Sequence, residues 1–479
     1  MNPDPGSPSS ARIALVLAVV LTAVAVGLQN IPPLIDLVGR FTGGAPTGPT
    51  ETESPVESDA VLPPDFSRPF DIMSKLYVKL DDAVRGDPSA MPTLDQFALD
   101  DADRIRAAVV AAEILGPEEA ITRLDTIIPD LADAPLLLAD AKVFKRIFAG
   151  EPPEEADPSR QALVNHHGFF AEVALTFELP DDHPLRVDLV RGGVLLAGVL
   201  LAAGAVVTLA FVAGCVLLVV WIVMMFSGKT KATFKPPAPG GSVMLEVFCW
   251  FVGGFLIVSL GSDVIARAVY SSDPTATWPG MIPLVAQWLL LLAPLWPLLR
   301  GVSKADLAKL MGWNTGKGLF REIGFGVLAY LAGLPVFFAA VVATLGLITI
   351  VDMLAGGAQG APPSPVIDLV AGGSPLALVL VFVLATIWAP LCEELVFRGA
   401  LQRHVRARWA GPLAIVITAT VFGFMHGYGP LLVLPLIALG SVFGAIRELR
   451  GSIVPSITAH FLHNATVLTL VITVVTLVG

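Results

Sequence analysis

The chain has 479 residues, of which 54% are hydrophobic and only 15% charged, and its formal net charge is −11. Soluble globular proteins carry about 25% charged residues, so this composition argues against a water-soluble or disordered chain and favours an integral membrane protein. The net negative charge argues against a nucleic-acid partner, because binding phosphate groups needs a basic surface.

The charged residues are unevenly distributed. Residues 51–190 contain 29 acidic and 12 basic residues, whereas the rest of the chain contains 12 acidic and 18 basic residues. This difference predicts an acidic soluble domain joined to a mildly basic membrane domain. The three cysteines all lie in apolar runs, which indicates neither a disulfide framework nor a zinc knuckle.

The first apolar run extends from Ile13 to Leu28 and is long enough to span a membrane. A small-x-small pattern at Ala23–Ala25 is compatible with cleavage of a signal peptide. Because further apolar runs follow, residues 1–40 are predicted to be a retained membrane anchor. Residues 41–69 are rich in Pro, Ser, Thr and Glu, which predicts a flexible linker.

Residues 70–190 have apolar residues at helical spacing, and Gly116-Pro117 predicts a break between two helices. We predict an acidic, helical extramembrane domain, which is a candidate surface for an unidentified protein partner. His166 and His167 could form a metal-binding pair. No further ligand cluster accompanies them, so a solvated surface is the favoured interpretation.

Apolar runs dominate the chain beyond Arg191, and each is long enough, or nearly so, to cross a hydrocarbon core about 30 Å thick. They occupy about 193–226, 243–262, 280–299, 323–351, 375–392, 411–425, 430–446 and 452–478. With the N-terminal anchor they predict an all-α polytopic membrane protein, a bundle of about nine transmembrane helices with an extramembrane helical domain near the N-terminus. The runs within 191–299 are interpreted as additional transmembrane helices.

Lysine and arginine mark alternate loops of this bundle. The basic loops lie at 229–235, 300–321, 398–408 and 447–450, and the loops poor in basic residues at 263–279, 352–374 and 427–429. The positive-inside rule then predicts a multi-pass protein of the plasma membrane with a cytoplasmic N-terminus and residues 51–190 outside the cytoplasm.

Three membrane segments carry polar residues, and ionisable residues inside a membrane are candidates for a functional site. They are Glu393, Glu394 and Arg398 after one apolar run, His426 at the end of another, and His460 and Asn464 early in the last. Glu394 and Arg398 are spaced i,i+4 and can form an ion pair, whereas Glu393 points about 100° away and lacks that partner. This arrangement favours a water molecule between Glu393 and a histidine, with a His/Asn pair to receive developing negative charge.

The three motifs resemble those of the CPBP family, which comprises the type II CAAX prenyl endopeptidases and their bacterial relatives, also called Abi or glutamic intramembrane proteases. They are Glu-Glu-x-x-x-Arg at 393–398, Phe-x-x-x-His at 422–426 and His-x-x-x-Asn at 460–464. The resemblance covers about 300–478, and it implies a protease membrane domain at 300–479.

The resemblance implies a role for each motif residue. Glu393 and His426 would activate the attacking water, His460 and Asn464 would form an oxyanion site, and Glu394 with Arg398 would brace the catalytic helix. The implied activity is cleavage of a membrane-associated or lipidated protein or peptide, without a metal or other cofactor. One Glu and two His are also an acceptable zinc set, so a zinc-dependent membrane protease is an alternative. A non-enzymatic membrane scaffold or binding protein and a proton-coupled transporter are further alternatives.

The basic loops lead to a testable topology. Protease added outside intact cells or spheroplasts should digest residues 51–190, while Arg403–Arg408 should be protected. Immunoblotting with tags in the two segments measures this. Protection of the acidic segment and exposure of the arginine segment would reverse the predicted orientation.

Overall fold

The structure, a computed structural model, describes residues 4–42, 69–80, 86–87, 89–95, 97–98, 100–273, 276, 278–354 and 375–478, with the backbone alone at 32–42, 69, 93 and 352. The chain divides into two compact units. We call 1–49, 206–356 and 379–468 the membrane unit, and 50–205, 357–378 and 469–479 the acidic unit. The predicted linker at 41–69 and the predicted loop at 352–374 fall almost entirely outside the described residues.

Every regular element in the described part of the chain is helical, and seven of these helices are long and apolar enough to cross a membrane. The seven are Pro8–Ile31, Pro184–Phe226, Val243–Tyr270, Pro279–Leu299, Leu319–Val351, Pro375–Arg406 and Val454–Val478. The other two predicted spans correspond to Gly411–Phe424 and Leu434–Arg450, which have 14 and 17 residues, fewer than the roughly 20 that a span needs. The all-helical, multi-pass architecture is confirmed, and the count of nine spans stays a prediction.

The acidic unit is built from short helices around one central helix, Asp101–Leu115. The others are Pro69–Lys79, Ala90–Asp95, Pro117–Ile127, Pro135–Phe148, Pro158–His167, Phe169–Leu175 and Pro184–Leu189, with a 3₁₀ turn at Ile128–Asp133. The central helix begins at Asp100, whose side chain caps the backbone N–H of Asp103, and ends at Gly116, where φ is 101°. The break therefore lies where Gly116-Pro117 predicts it. Ile105, Val109 and Ala112 are buried in its core.

The solvated surface expected for His166 and His167 is wrong for His167, whose side chain is completely buried. Nε2 of His167 lies 3.2 Å from Oδ2 of Asp140, and Nδ1 of His166 lies 2.7 Å from the same oxygen. Arg106 donates to Nδ1 of His167 at 3.4 Å. Burial lowers the pKa of His167, and Arg106 lowers it further, while Asp140 opposes the change. The residue is part of a buried polar network.

The membrane unit contains the helices that carry the three motifs. We name five of them: the N-terminal helix Pro8–Thr42, the glutamate helix Pro375–Arg406, the histidine helix Gly411–Phe424, the arginine helix Leu434–Arg450 and the final helix Val454–Val478. The remaining ones that lie wholly or mostly in this unit are Gly193–Phe226, Val243–Tyr270, Pro279–Leu299, Lys304–Met311, Leu319–Leu354 and Gly429–Leu432.

The basic loops of the membrane unit meet at one end of its helices. Polar contacts link them in pairs: Arg403 with Asp4 at 2.8 Å, Arg406 with Glu448 at 2.9 Å, Arg300 with Glu246 at 3.0 Å, Arg450 with Glu322, and the Thr233 N–H with the Glu448 carbonyl at 3.1 Å. The start of the chain and the basic segments therefore share one end of the unit. This agrees with the alternation from which the topology is predicted.

The lowered pKa of His167 predicts acid sensitivity of the acidic unit. The folded state binds this proton less readily than the unfolded chain, so stability is full above about pH 6.5 and falls as the pH drops below it. Hydrogen–deuterium exchange of the Asp101–Leu115 amides in the full chain should accelerate between pH 7.5 and 5 after correction for intrinsic exchange. His167→Gln should reduce this pH dependence, and His183→Gln, a change at a solvent-exposed helix cap, should leave it unchanged. An unaltered slope in His167→Gln would contradict the prediction.

Candidate active site

The glutamate helix departs from α-helical geometry on both sides of its two glutamates. Leu384–Trp388 and Glu394–Leu401 are π-helical, and they flank a short α-helical segment, Ala389–Glu393. Pro390 lies in that segment and has no backbone N–H, so the normal i→i−4 hydrogen bond is interrupted there. Such π-segments occur frequently at functional sites.

Glu393 is the carboxylate on which two histidines converge. Its Oε2 atom lies 3.9 Å from Nε2 of His426 and 3.9 Å from Nε2 of His460. The Glu393 side chain is 14% exposed, and within the described structure its Oε2 has no hydrogen-bond partner. The distances are too long for direct hydrogen bonds, and they suit a water molecule shared by the three groups.

His426 is held by the end of the histidine helix. Its Nδ1–H donates to the carbonyl oxygen of Phe422 at 2.7 Å. Because a carbonyl can only accept, the proton lies on Nδ1, and Nε2 of the neutral ring is an acceptor facing Glu393. Gly427 follows with a φ of +70°, a left-handed conformation that ends a helix and that glycine adopts without strain. His426 therefore lies directly after the end of the histidine helix, at a position that the sequence determines through Gly427.

His460 joins the two glutamates. Its Nδ1–H donates to Oε1 of Glu394 at 3.1 Å, while its Nε2 faces Glu393. The ring is stacked on Phe443 with centroids 4.8 Å apart, and its side chain is only 5% exposed. His460 is thus fixed both by a hydrogen bond and by aromatic packing.

Glu394 and Arg398 form the ion pair that their spacing predicts. Nη1 of Arg398 lies 3.0 Å from Oε1 of Glu394, and both side chains are almost completely buried. Nη2 of Arg398 donates to the carbonyl oxygen of Gly440 at 3.0 Å. The guanidinium also lies over the rings of Phe422 and Phe443, 4.5 and 5.3 Å from their centroids. The pair contacts groups from the histidine, arginine and final helices.

Asn464 donates a hydrogen bond to the backbone of the glutamate helix and not to the side chain of Glu393. Its Nδ2 donates to the carbonyl oxygen of Ala385 at 2.8 Å. Ala385 lies in the first π-segment, where widened turns alter the normal carbonyl partners. In the structure Asn464 therefore ties the final helix to the π-segment that precedes Glu393.

Two other histidines of the membrane unit lie away from this cluster. His463 packs edge-on against Phe337 of helix Leu319–Leu354, with ring centroids 5.0 Å apart. Nε2 of His404 contacts Arg408 at 3.0 Å in the basic region. Both rings therefore contact groups other than Glu393, and neither belongs to the predicted catalytic set.

Sequence reasoning missed Gly440 and Gly444 on the arginine helix. A Cβ at Gly440 would lie 3.1 Å from the Cβ of Ala419, and the Gly444 carbonyl accepts from Gln402 at 3.0 Å. The two glycines form a Gly-x-x-x-Gly pattern, which allows helices to approach closely in membranes. This pattern is visible in the sequence and is the signal that indicates the packing of the arginine helix.

A zinc centre formed by Glu393, His426 and His460 is the alternative interpretation of this cluster. Among the described residues, no group of three His, Cys, Asp or Glu side chains is arranged to hold a metal ion. Neighbouring ligands of a tetrahedral zinc at 2.0–2.1 Å lie about 3.3 Å apart, closer than the 3.9 Å that separates Glu393 from each histidine. A zinc ion at this position would require the three side chains to move closer together, and a cofactor-free reaction stays a prediction.

Comparison with known families decides the class of this segment. Residues 375–466 match the family model described as type II CAAX prenyl endopeptidase Rce1-like. We call these residues the Rce1-like domain, after the family they are similar to. No curated protein and no solved structure matches the chain. The matched segment contains all three motifs, so the resemblance to the CPBP family is confirmed, over a shorter range than the predicted 300–478.

The family match and the seven apolar helices together support a multi-pass membrane protein with a segment similar to a peptidase family. Outside the Rce1-like domain lie the acidic unit, the N-terminal helix and the helices between Gly193 and Leu354. The match implies membrane-protease activity for the matched segment.

The buried ion pair leads to a stability prediction. Glu394→Gln and Arg398→Met should each lower the free energy of unfolding by about 3–5 kcal/mol, because each leaves one buried charge uncompensated. Glu393→Gln should cost much less, since Glu393 has no direct ionic partner at hydrogen-bond distance. Thermal unfolding in detergent measures these changes.

Glu448→Gln is the matched control for this series, because Glu448 pairs with Arg406 and the pair is partly exposed. Its loss should be smaller than that of Glu394→Gln. A larger loss in Glu393→Gln than in Glu394→Gln would show that the two glutamates have been assigned to the wrong roles.

Proposed function

We propose that this protein is an intramembrane endopeptidase that cleaves a membrane-associated or lipidated protein or peptide with a water molecule activated by Glu393 and His426. The observation that carries the proposal is the convergence of Glu393 Oε2 with Nε2 of both His426 and His460, each at 3.9 Å. The match of residues 375–466 to a prenyl endopeptidase family supports the same reaction class.

Water activation follows from the protonation pattern of the site. Glu393 and Nε2 of the neutral His426 ring are both acceptors, so a water lying about 2.8 Å from them can direct one proton toward each. Glu393 takes a proton from the water as the water oxygen attacks the scissile carbonyl carbon. His426 then relays this proton from Glu393 to the leaving amine nitrogen as the C–N bond breaks. No metal enters this sequence of steps.

The negative charge on the attacked carbonyl oxygen needs donors. Glu394 accepts a hydrogen bond from Nδ1–H of His460, and we assign a proton on Nε2 of His460 as a donor to the oxyanion. Asn464 uses one amide N–H to bind the Ala385 carbonyl, and we assign its second N–H to the oxyanion. The final helix therefore supplies both proposed oxyanion donors, His460 and Asn464, and His460 also contacts the Glu394–Arg398 pair.

The substrate is proposed to be embedded in or attached to the membrane, because the three motif segments are surrounded by apolar spans. Prenylated proteins are one such class.

The acidic unit is proposed to recruit a protein partner outside the cytoplasm. The membrane unit is proposed to be embedded in the lipid bilayer of the plasma membrane. A zinc-dependent protease and a membrane scaffold are the competing functions.

The proposal is tested with purified protein and candidate lipidated or transmembrane peptides after exhaustive chelation, with metal content measured on the same sample. Full cleavage by the metal-free protein is expected. Asn464→Ala should retain detectable activity at roughly 10²–10³-fold lower turnover, the loss typical of one oxyanion donor. Glu393→Ala should fall further, since nothing adjacent replaces it as the proton acceptor.

His463→Gln is the matched control on the final helix, since His463 packs away from the cluster, and it should cleave normally. Activity that disappears on chelation and returns with stoichiometric zinc would establish the zinc mechanism instead. Absence of cleavage of every lipidated and transmembrane peptide by folded wild-type protein would favour the scaffold.

A further inference from the structure

The N-terminal helix lies outside the Rce1-like domain at 375–466, yet it reaches the turn that carries His426. The contact is made by Asn30, whose side chain is buried and 8% exposed. Its Nδ2 lies 3.0 Å from the carbonyl oxygen of Phe424 and 2.8 Å from that of Val26, one turn earlier in its own helix. One amide thus donates to both helices at once.

The accepting carbonyl belongs to the last turn of the histidine helix, where carbonyl groups lack partners within the helix. Two of these carbonyls receive side-chain donors: His426 donates to Phe422 and Asn30 donates to Phe424. The same short segment therefore orients the His426 ring and is itself held by Asn30. Loss of the Asn30 donor leaves the Phe424 carbonyl without this partner in a dry environment, where an unsatisfied polar group is costly.

Close packing supports this contact. A Cβ added to Gly427 would lie 3.2 Å from Cβ of Gln29, so the N-terminal helix touches the backbone directly after His426. At its other end the helix is preceded by Asp4, which accepts from Arg403 at 2.8 Å on the glutamate helix. The N-terminal helix is attached both to the segment that carries His426 and to the helix that carries Glu393.

We propose that Asn30 is a positioning residue for the reaction: it fixes the 424–427 turn so that Nε2 of His426 stays directed at Glu393. The inference rests on the proposed function for its catalytic consequence, while its structural part concerns only the tautomer and orientation of His426. Asn30 does not touch the reacting atoms.

The variant that tests this is Asn30→Leu, which keeps a side chain of similar size and removes the N–H donor to the Phe424 carbonyl. In the peptide-cleavage assay kcat should fall about tenfold or more, which corresponds to about 1.4 kcal/mol in the barrier, with KM within twofold of wild type. Asn165→Leu, the same change at an exposed position of the acidic unit, should have no effect. Asn30→Ala, which removes the donor and shortens the side chain, should likewise lower kcat and leave KM within twofold of wild type.

A second readout does not depend on cleavage. In protein labelled with ¹⁵N at its histidine rings, the His426 signal, assigned by its loss in His426→Gln, should report a proton on Nδ1. Asn30→Leu should shift this signal toward a mixture of tautomers and leave those of His404 and His463 unchanged. If wild-type protein cleaves no peptide but the shift occurs, the proposed function fails and the positioning role stands.

The inference is overturned if folded Asn30→Leu has wild-type kcat and an unshifted His426 signal. It is also overturned if kcat falls only in proportion to the folded fraction measured by thermal unfolding. If Asn30→Leu does not fold, Asn30→Ala is judged by the same two criteria.

Discussion

Arg398 carries a full positive charge into a helical bundle where its side chain is 1% exposed, and its neighbours must offset the free energy of removing that charge from water. Glu394 supplies the opposite charge, Gly440 supplies a carbonyl acceptor, and two phenylalanine rings cover the guanidinium faces. These partners lie on the glutamate, arginine and histidine helices. Satisfying one buried charge therefore aligns three helices, and His460 brings in a fourth through Glu394.

That alignment separates the chemistry of two adjacent glutamates. Glu394 contacts Arg398 and His460, whereas Glu393 faces Nε2 of two imidazole rings at 3.9 Å with no cation at hydrogen-bond distance among the described residues. Identical side chains thus acquire different roles from their neighbours alone. The hydrogen bonds that orient His426 and His460 do so through Nδ1, leaving Nε2 of each ring directed at Glu393.

The sequence predicts contacts that depend on helix periodicity and fails on those that depend on how helices cross. Glu394 and Arg398 are one helical turn apart, so their pairing follows from spacing. The bond from Asn464 to Ala385 requires a π-segment, and that distortion has only Pro390 as a signal in the sequence. Seven spans can be predicted from the length of the apolar runs. The histidine and arginine helices are too short for their length to indicate how deep in the membrane they lie. His167 is buried by partners 27 and 61 residues away, which a local reading of polar composition cannot anticipate.

The π-segment at Leu384–Trp388 also bears on how such a site changes through evolution. A π-turn accommodates about one residue more than an α-turn, so the loss of one residue within it can be absorbed by relaxation to an α-turn. In the α-helical segment Ala389–Glu393 no such extra residue is present, and a deletion there turns the residues beyond it by about 100°. A single-codon deletion in that segment would therefore place Glu394 where Glu393 lies and would turn Glu393 away from the histidines. Which of the two glutamates faces the histidines therefore depends both on their order in the motif and on the number of residues in the helix before them.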